Sequence, residues 1–348
     1  MNEQDTNTNK TNSGASPAPT RADGRRRLTV FGWLMRLVSI ATIAISCFTI
    51  AMFIYQDVSG QKADPIEDIV EPVVFSEPEP ESIAAEPEPV SPVAITACIS
   101  QEAIDNADHP LVPLIEMAKY GADYIQNHVQ DYTAVITKQV RWKGKLQPEE
   151  KMFCKIRHQI CDGESETKIP FSVYTRFIAP KRGQEAIWVK GCHDGKLVAH
   201  GPKGLLNLMT VYLEPDSRMA MSGNRYTIES IGMLNLIKKM VEQGTQDMKH
   251  EDCEVKLTRN FMVNDRRCTR LEIIHNEPVE HFEFHRAEIY IDDELNLPIA
   301  FRSFIWPDEP GGKPRLLERY YYTDIKINVG LTGADFDPAN DSYDYPGL

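Results

Sequence analysis

Nineteen consecutive uncharged residues, Leu37–Tyr55 (LVSIATIAISCFTIAMFIY), constrain this chain more than any other feature. A bilayer core of about 30 Å takes roughly 20 helical residues. The apolar stretch 28–55 therefore reads as one membrane crossing. Lys10, Arg21 and the triplet Arg25-Arg26-Arg27 precede it, and Arg36 lies close enough to its start to snorkel toward head groups. After it, residues 56–95 hold one cation, Lys62, against ten acids. Cationic flanks stay in the cytoplasm. The expectation is a single-pass protein of the inner (cytoplasmic) membrane, N-terminus inside, with everything past Tyr55 periplasmic.

A cleaved signal peptide fits less well. No small-x-small site follows the run, which ends Met52-Phe53-Ile54-Tyr55. Ala44-Ile45-Ser46-Cys47 faintly resembles a lipidation box, but eight more apolar residues follow Cys47, where a lipidated cysteine opens a polar segment.

The rest divides by composition. Residues 1–27 are polar and read as a disordered cytoplasmic tail. Residues 56–95, with seven prolines and repeated Glu-Pro steps, read as an extended, self-repelling tether. Residues 96–348 are long enough for one domain with a full core. They carry 31 cations against 38 acids, so nothing provides the basic footprint that nucleic acid requires.

Within that domain, Leu111, Leu114, Ile115, Ala118, Ala122, Ile125 and Val129 recur at helical spacing, with Pro110 and Pro113 suited to a first turn. A second helix is expected near Ile231–Gln243, with Gly244 as its terminator. Between and after the helices the pattern alternates. Strands are expected over Tyr132–Trp142, Met152–Arg157, Phe171–Phe177, Glu185–Lys190 and Lys196–His200, with a long loop over Gln159–Lys168. Glu254–Phe261, Arg267–His275, Phe284–Ile291, Leu297–Trp306 and Leu316–Asn328 continue as consecutive antiparallel strands. The expected fold is α+β, a curved antiparallel sheet forming an incomplete β-barrel with helices on its concave side.

The segment AEIYIDDELNLPIAFRSFIWP, followed by LLERYYYTDIKINVGLTGADFD, resembles the closing strands of the lipoprotein-carrier superfamily of the bacterial envelope. DYTAVITKQVRWKGKL, PFSVYTRFIAP, NDRRCTRLEIIH and FHRAEIYIDDELNLPI more closely resemble a planctomycete-type family, the domain of unknown function numbered 1571. The resemblance implies a half-barrel whose concave face takes acyl chains under a helical lid, and it implies no catalytic residues.

Chemistry-bearing motifs are sparse. No Gly-x-Ser-x-Gly elbow, phosphate-cradling glycine loop or dinucleotide fingerprint occurs, so no cofactor is expected. His281 and His285 are four apart, which would suit a metal on a helix, but the pattern around them is extended. Asp292-Asp293-Glu294 reads as a solvated turn. The tail from Asp335 to Asp341 begins like a calcium loop but lacks its glycine and distal glutamate. No metal site is expected. Six cysteines lie beyond the span, Cys98, Cys154, Cys161, Cys192, Cys253 and Cys268. Disulfides, with Cys154 and Cys161 the nearest pair, and free buried thiols both fit them.

Alternation places Val255, Leu257 and Phe261 on one side of their strand, Leu271 and Ile273 opposite them, and Ile289, Ile291, Ile299, Phe301 and Ile305 along the same face. These ten are the candidate ligand-binding residues. A dry packed core needs the same residue types as a lipid-sized cavity. The expected function is non-catalytic binding of a lipid or an acylated protein. The alternatives are a structural or signalling module with an envelope protein partner, and a hydrolase with a site the sequence does not reveal.

Overall fold

The computed structural model describes residues 73–77, 95–162, 166–202 and 208–348. The apolar run 28–55 lies outside these residues, and no helix among them is long and apolar enough to cross a membrane. Strand β1 (Phe75–Ser76) and a short 3-10 turn (Ile95–Cys98) precede helices α1 (Gln101–Asp105) and α2 (Leu111–His128). Then come β2 (Asp131–Trp142), β3 (Lys145–Leu146), β4 (Glu150–Arg157), β5 (Ile160–Asp162), β6 (Glu166–Ile169) and β7 (Ser172–Ala179). β8 (Glu185–Val189), β9 (Leu197–His200) and β10 (Val211–Leu213) lead to helix α3 (Met233–Asp247). β11 (Glu254–Val263), β12 (Arg266–Ile274), β13 (Arg286–Asp292), β14 (Leu297–Ile305) and β15 (Arg315–Ile327) complete the order.

Thirteen strands form one antiparallel sheet in the order β1-β11-β12-β13-β14-β15-β2-β4-β7-β8-β9-β10, with β3 beside β2. The long β2 is its pivot. It pairs with β15 along one edge and β4 along the other, bringing the two halves of the chain together. The sheet does not close on itself, since β1 and β10 are its two edges. A large curved antiparallel sheet with few helices is thus the observed class.

Period-2 alternation sends the two faces to different neighbours. On the helix face, Leu111, Leu114, Ile115 and Met117 of α2 pack on Val255, Leu271, Ile289 and Ile291. Ile237 and Met233 of α3 pack with Tyr132, Met152 and Ile156 toward the centre. On the other face, Phe336 and Tyr345 from the C-terminal segment cover Tyr174, Ile187 and Val198.

The structure corrects or decides several local expectations. Gly244 does not end α3, which runs on to Asp247. A Cβ at Gly244 would lie 3.4 Å from the Ile115 side chain, so this glycine serves the close approach of α3 to α2. The expected loop 159–168 contains a separate hairpin, β5 with β6. The turn after β13 is a turn, but Asp292 is fully buried rather than solvated. Its carboxylate binds Arg266 and accepts the amides of Glu294 and Leu295 at 2.9 and 2.8 Å. All six described cysteines are free thiols, and Cys154 is buried while Cys161 is exposed, so the short bridge between them is absent.

Part of the expected tether is also structured. Val73–Glu77 lies along the edge of β11, with Phe75 opposite Val263. The Asn264 amide donates to the Val74 carbonyl at 2.7 Å, and Asn264 Oδ1 accepts the Val74 amide at 2.8 Å.

Candidate ligand cavity

The helix face is not filled evenly. Between the sheet, α3 and the strap of chain leading into α3 lies a cavity of about 870 Å³. It crosses the sheet from Ile273 on β12 to Leu213 on β10. Its floor is the inward-facing set of each strand it passes, among them Phe301, Tyr322, Ile136, Met152, Phe177 and Ala199. These residues follow from register. Ile136 pairs with Met152 and Tyr322, Met152 with Phe177, and Ala186 with Ala199, so one parity carries across from strand to strand.

The strap, residues 214–232, forms the roof and is tied down at named points. Glu318 of β15 is 3% exposed. Its carboxylate meets Arg225 Nε at 3.1 Å and accepts the hydroxyls of Tyr226 at 3.0 Å and Tyr320 at 3.2 Å. Burial pushes the Glu318 carboxyl above its ordinary pKa, and Arg225 and the two hydroxyls work against that rise. At the α3 end of the strap, Tyr132 Oη accepts the Met233 amide at 3.0 Å.

A second polar cluster stands beside the first. Lys138 of β2 faces Glu150 of β4 in register, and its Nζ lies 2.9 Å from Glu150 Oε2. Lys181, in the turn after β7, lies 2.6 Å from Glu150 Oε1. Lys138 also donates to Asn224 Oδ1 of the strap. Burial lowers the Lys138 pKa, with Glu150 opposing. Burial alone would raise Glu150, but Lys138 and Lys181 together hold it below the ordinary carboxylate range.

Of the ten residues expected from the sequence, Ile273, Ile289 and Phe301 line this cavity. Val255, Leu257, Leu271 and Ile291 face the same way but are covered by α2. Phe261 is turned to the opposite face. A register shift between Thr258 and Phe261, with Asn260 at φ 58°, reverses the parity of β11. Phe261 instead meets Tyr290 at 5.1 Å and Phe75 at 6.3 Å between ring centroids. Ile299 sits at a second shift, where Ile291 pairs with Pro298 and Tyr290 with Ala300, and is buried in the central core. Ile305 is half-buried near the end of its strand, opposite Arg315. The floor residues Ile136, Met152 and Phe177 and the polar residues Lys138, Glu150, Lys181 and Glu318 were not singled out from sequence. Their strands alternate visibly, but alternation does not reveal which half of a face a helix will cover.

His281 and His285, spaced four apart, turn to different partners. The His281 ring stacks on His250 at 3.2 Å, and His285 Nδ1 lies 2.7 Å from the His275 carbonyl. Among the described residues no group of three or more His, Cys, Asp or Glu side chains is arranged to hold a metal. Asp335 caps its own turn through Thr332 and bridges to Lys155 at 2.8 Å.

Residues 129–345 match a family model described as Protein of unknown function (DUF1571). The chain belongs to the DUF1571 family. The matched span of this DUF1571 chain contains every strand that lines the cavity, while α2 lies before it. No curated protein matches the chain. Among solved structures it is similar to a DUF1329 family protein from Desulfovibrio piger, at 12% identity over 64% of this chain and 97% of that one, with a TM-score of 0.32. It is similar to MucB in complex with MucA(peri), at 11% identity over 64% and 59% of the two chains, with a TM-score of 0.36. It is also similar to a LolA superfamily protein from Nitrosomonas europaea, at 11% identity over 64% and 97%, with a TM-score of 0.25.

Proposed function

We propose that this DUF1571 domain is a non-catalytic binding module that holds a lipid or a protein-borne acyl group between its sheet and α3. The observation that carries the reading is the cavity itself. Its volume of about 870 Å³ lies within the roughly 300–1,000 Å³ of ordinary ligand sites, and its floor carries a row of apolar residues, Phe301, Tyr322, Ile136, Met152, Phe177 and Ala199, beside the polar Lys138, Thr175 and Glu318. An acyl chain laid there loses contact with water at roughly 25 cal/mol per Å² of buried apolar area. The resemblance of the closing strands to lipoprotein carriers points the same way. In this reading residues 28–55 anchor the chain in the inner membrane, and the domain works on the periplasmic side as a fixed receptor rather than a shuttle.

The test is saturation of the full chain with a polarity-sensitive apolar fluorophore. The reading expects one displaceable site, lost in Ala186→Trp, where an indole projects into the cavity. Absence of a saturable site, or one untouched by Ala186→Trp, contradicts it.

A protein-binding module is the second reading. It is favoured by the β10 edge, where Leu208, Met209 and Tyr212 are 70%, 64% and 47% exposed.

A further inference from the structure

Charge is balanced unevenly inside the cavity. At the Glu318 cluster, Arg225 faces both Glu318 at 3.1 Å and Glu283 at 3.7 Å, and Lys239 lies 3.8 Å from Glu283. Two cations there meet two carboxylates. At the neighbouring cluster the count differs. Lys138 and Lys181 share the single carboxylate of Glu150, one ammonium on each oxygen. Among the described residues, the other polar group that holds Lys138 is the neutral amide oxygen of Asn224. The Lys138 and Glu150 side chains are 13% and 12% exposed while Lys181 is 39% exposed, so the inner pair is buried and the surplus cation stands at the water-facing rim, where the head of an amphiphile would sit. The walls beside it are apolar. Lys181 lies over the Phe177 ring at 5.3 Å, and Ile136, Val140 and Met152 line the adjoining floor.

We infer that the cavity selects a long-chain amphiphile with an anionic head, a carboxylate or a phosphate, seated between Lys138 and Lys181. The inference rests on the cavity reading above and adds the chemistry of the head. Two ammoniums with one carboxylate leave a net positive charge at the edge of an apolar trough. An incoming anion makes the cluster two-to-two and relieves the repulsion between the lysines. It accepts charge-assisted hydrogen bonds, which are shorter and stronger than those a hydroxyl head accepts. The apolar tail then lies on Met152, Phe177, Ala186 and Ala199. A neutral head fills the same space but leaves the surplus charge unmatched. The five strands that bring these residues together, β2, β4, β7, β8 and β9, are consecutive neighbours in the sheet, so head site and tail site form one continuous surface.

The test compares ligands of one chain length on the full chain, by displacement of the apolar fluorophore. Palmitate and hexadecyl phosphate are set against hexadecanol, and dipalmitoyl phosphatidate distinguishes a membrane lipid from a single-chain acid. The expected result is at least a ten-fold preference for the anionic heads over the alcohol. Lys181→Met removes the surplus cation while leaving Lys138 and Glu150 as a one-to-one pair. It is expected to erase the preference by weakening the anionic heads alone, with hexadecanol still bound and the cooperative melt retained at a midpoint lowered by the loss of the Lys181–Glu150 pair. Equal binding of acid and alcohol by the native chain, or a preference that survives Lys181→Met, overturns the inference and leaves the cavity reading standing. Failure of every probe to bind overturns both.

Discussion

Tyr132 Oη accepts the amide of Met233 at 3.0 Å, joining the first turn of α3 to the floor of the sheet beneath it. Tyr132 is 1% exposed, and burial raises its pKa well above the ordinary phenol value. The residue before Met233 is Gly232, at φ 118°. A Cβ there would lie 3.2 Å from the same hydroxyl. This contact sets how far the α3 end of the cavity roof stands above its floor. Tyr132→Phe leaves the Met233 N–H without its acceptor and is expected to cost about 1–3 kcal/mol. Gly232→Ala forces a side chain into strained backbone, again at about 1–3 kcal/mol. Denaturant midpoints at unchanged slope measure both.

The C-terminal segment is held by Lys155 and Asp335, 2.8 Å apart. Burial acts to raise Asp335, yet the Lys155 hydrogen bond and the Thr332 amide hold it below its ordinary value. Burial acts to lower Lys155, yet Asp335 and the Tyr343 hydroxyl hold it above its ordinary value. A depressed acid contributes stability above its unfolded pKa, and that share is lost as pH falls through the lower folded value. A raised amine contributes stability below its unfolded pKa, and that share is lost as pH rises through the higher folded value. The contribution of this pair to the thermal midpoint should thus be flat across neutrality and fall at both ends, read as the difference between the native chain and Asp335→Asn. Asp335→Asn should flatten the acid limb and reduce the alkaline one.

Phe75 carries the only strand described within the expected tether. Its ring lies 5.1 Å from Tyr290 and 5.3 Å from Tyr321, with the Arg302 guanidinium 4.9 Å above it. Removing this anchor should release the strand. Phe75→Ala is expected to raise amide hydrogen exchange at Asn264, which donates to Val74, by at least ten-fold. Exchange in β2, at the sheet centre, should not change.

Much of this architecture was legible in sequence, for identifiable reasons. The stripe from Leu111 to Ile125 and the alternation from Tyr132 to Trp142 each obey one period without interruption, and both elements lie where those periods put them. The errors fall where backbone irregularity or tertiary contact overrides the local pattern. Asn260 reverses the parity of β11 and carries Phe261 to the wrong face. Gly244 resembles a terminator, but Ile115 of the neighbouring helix explains it. The cavity was missed in detail because α2 fills the half of the face over Val255, Leu271 and Ile291, while the space lies over Ile136, Met152 and Phe177. Lys138 shares its side of β2 with Ile136 and Val140, and Glu318 its side of β15 with Tyr320 and Tyr322, but a charge does not announce a buried position, and the register of β2 with β4 supplies the partner Glu150 that the sequence alone does not pair with Lys138.

The most direct measurement is organic-solvent extraction and mass spectrometry of the full chain purified from membranes, with Ala186→Trp alongside. The account predicts a lipid or acyl species bound at about one per native chain and missing from the filled variant, which keeps its cooperative melt. A native chain that is stably folded and carries no such species, or a variant that carries as much as the native chain, would contradict it.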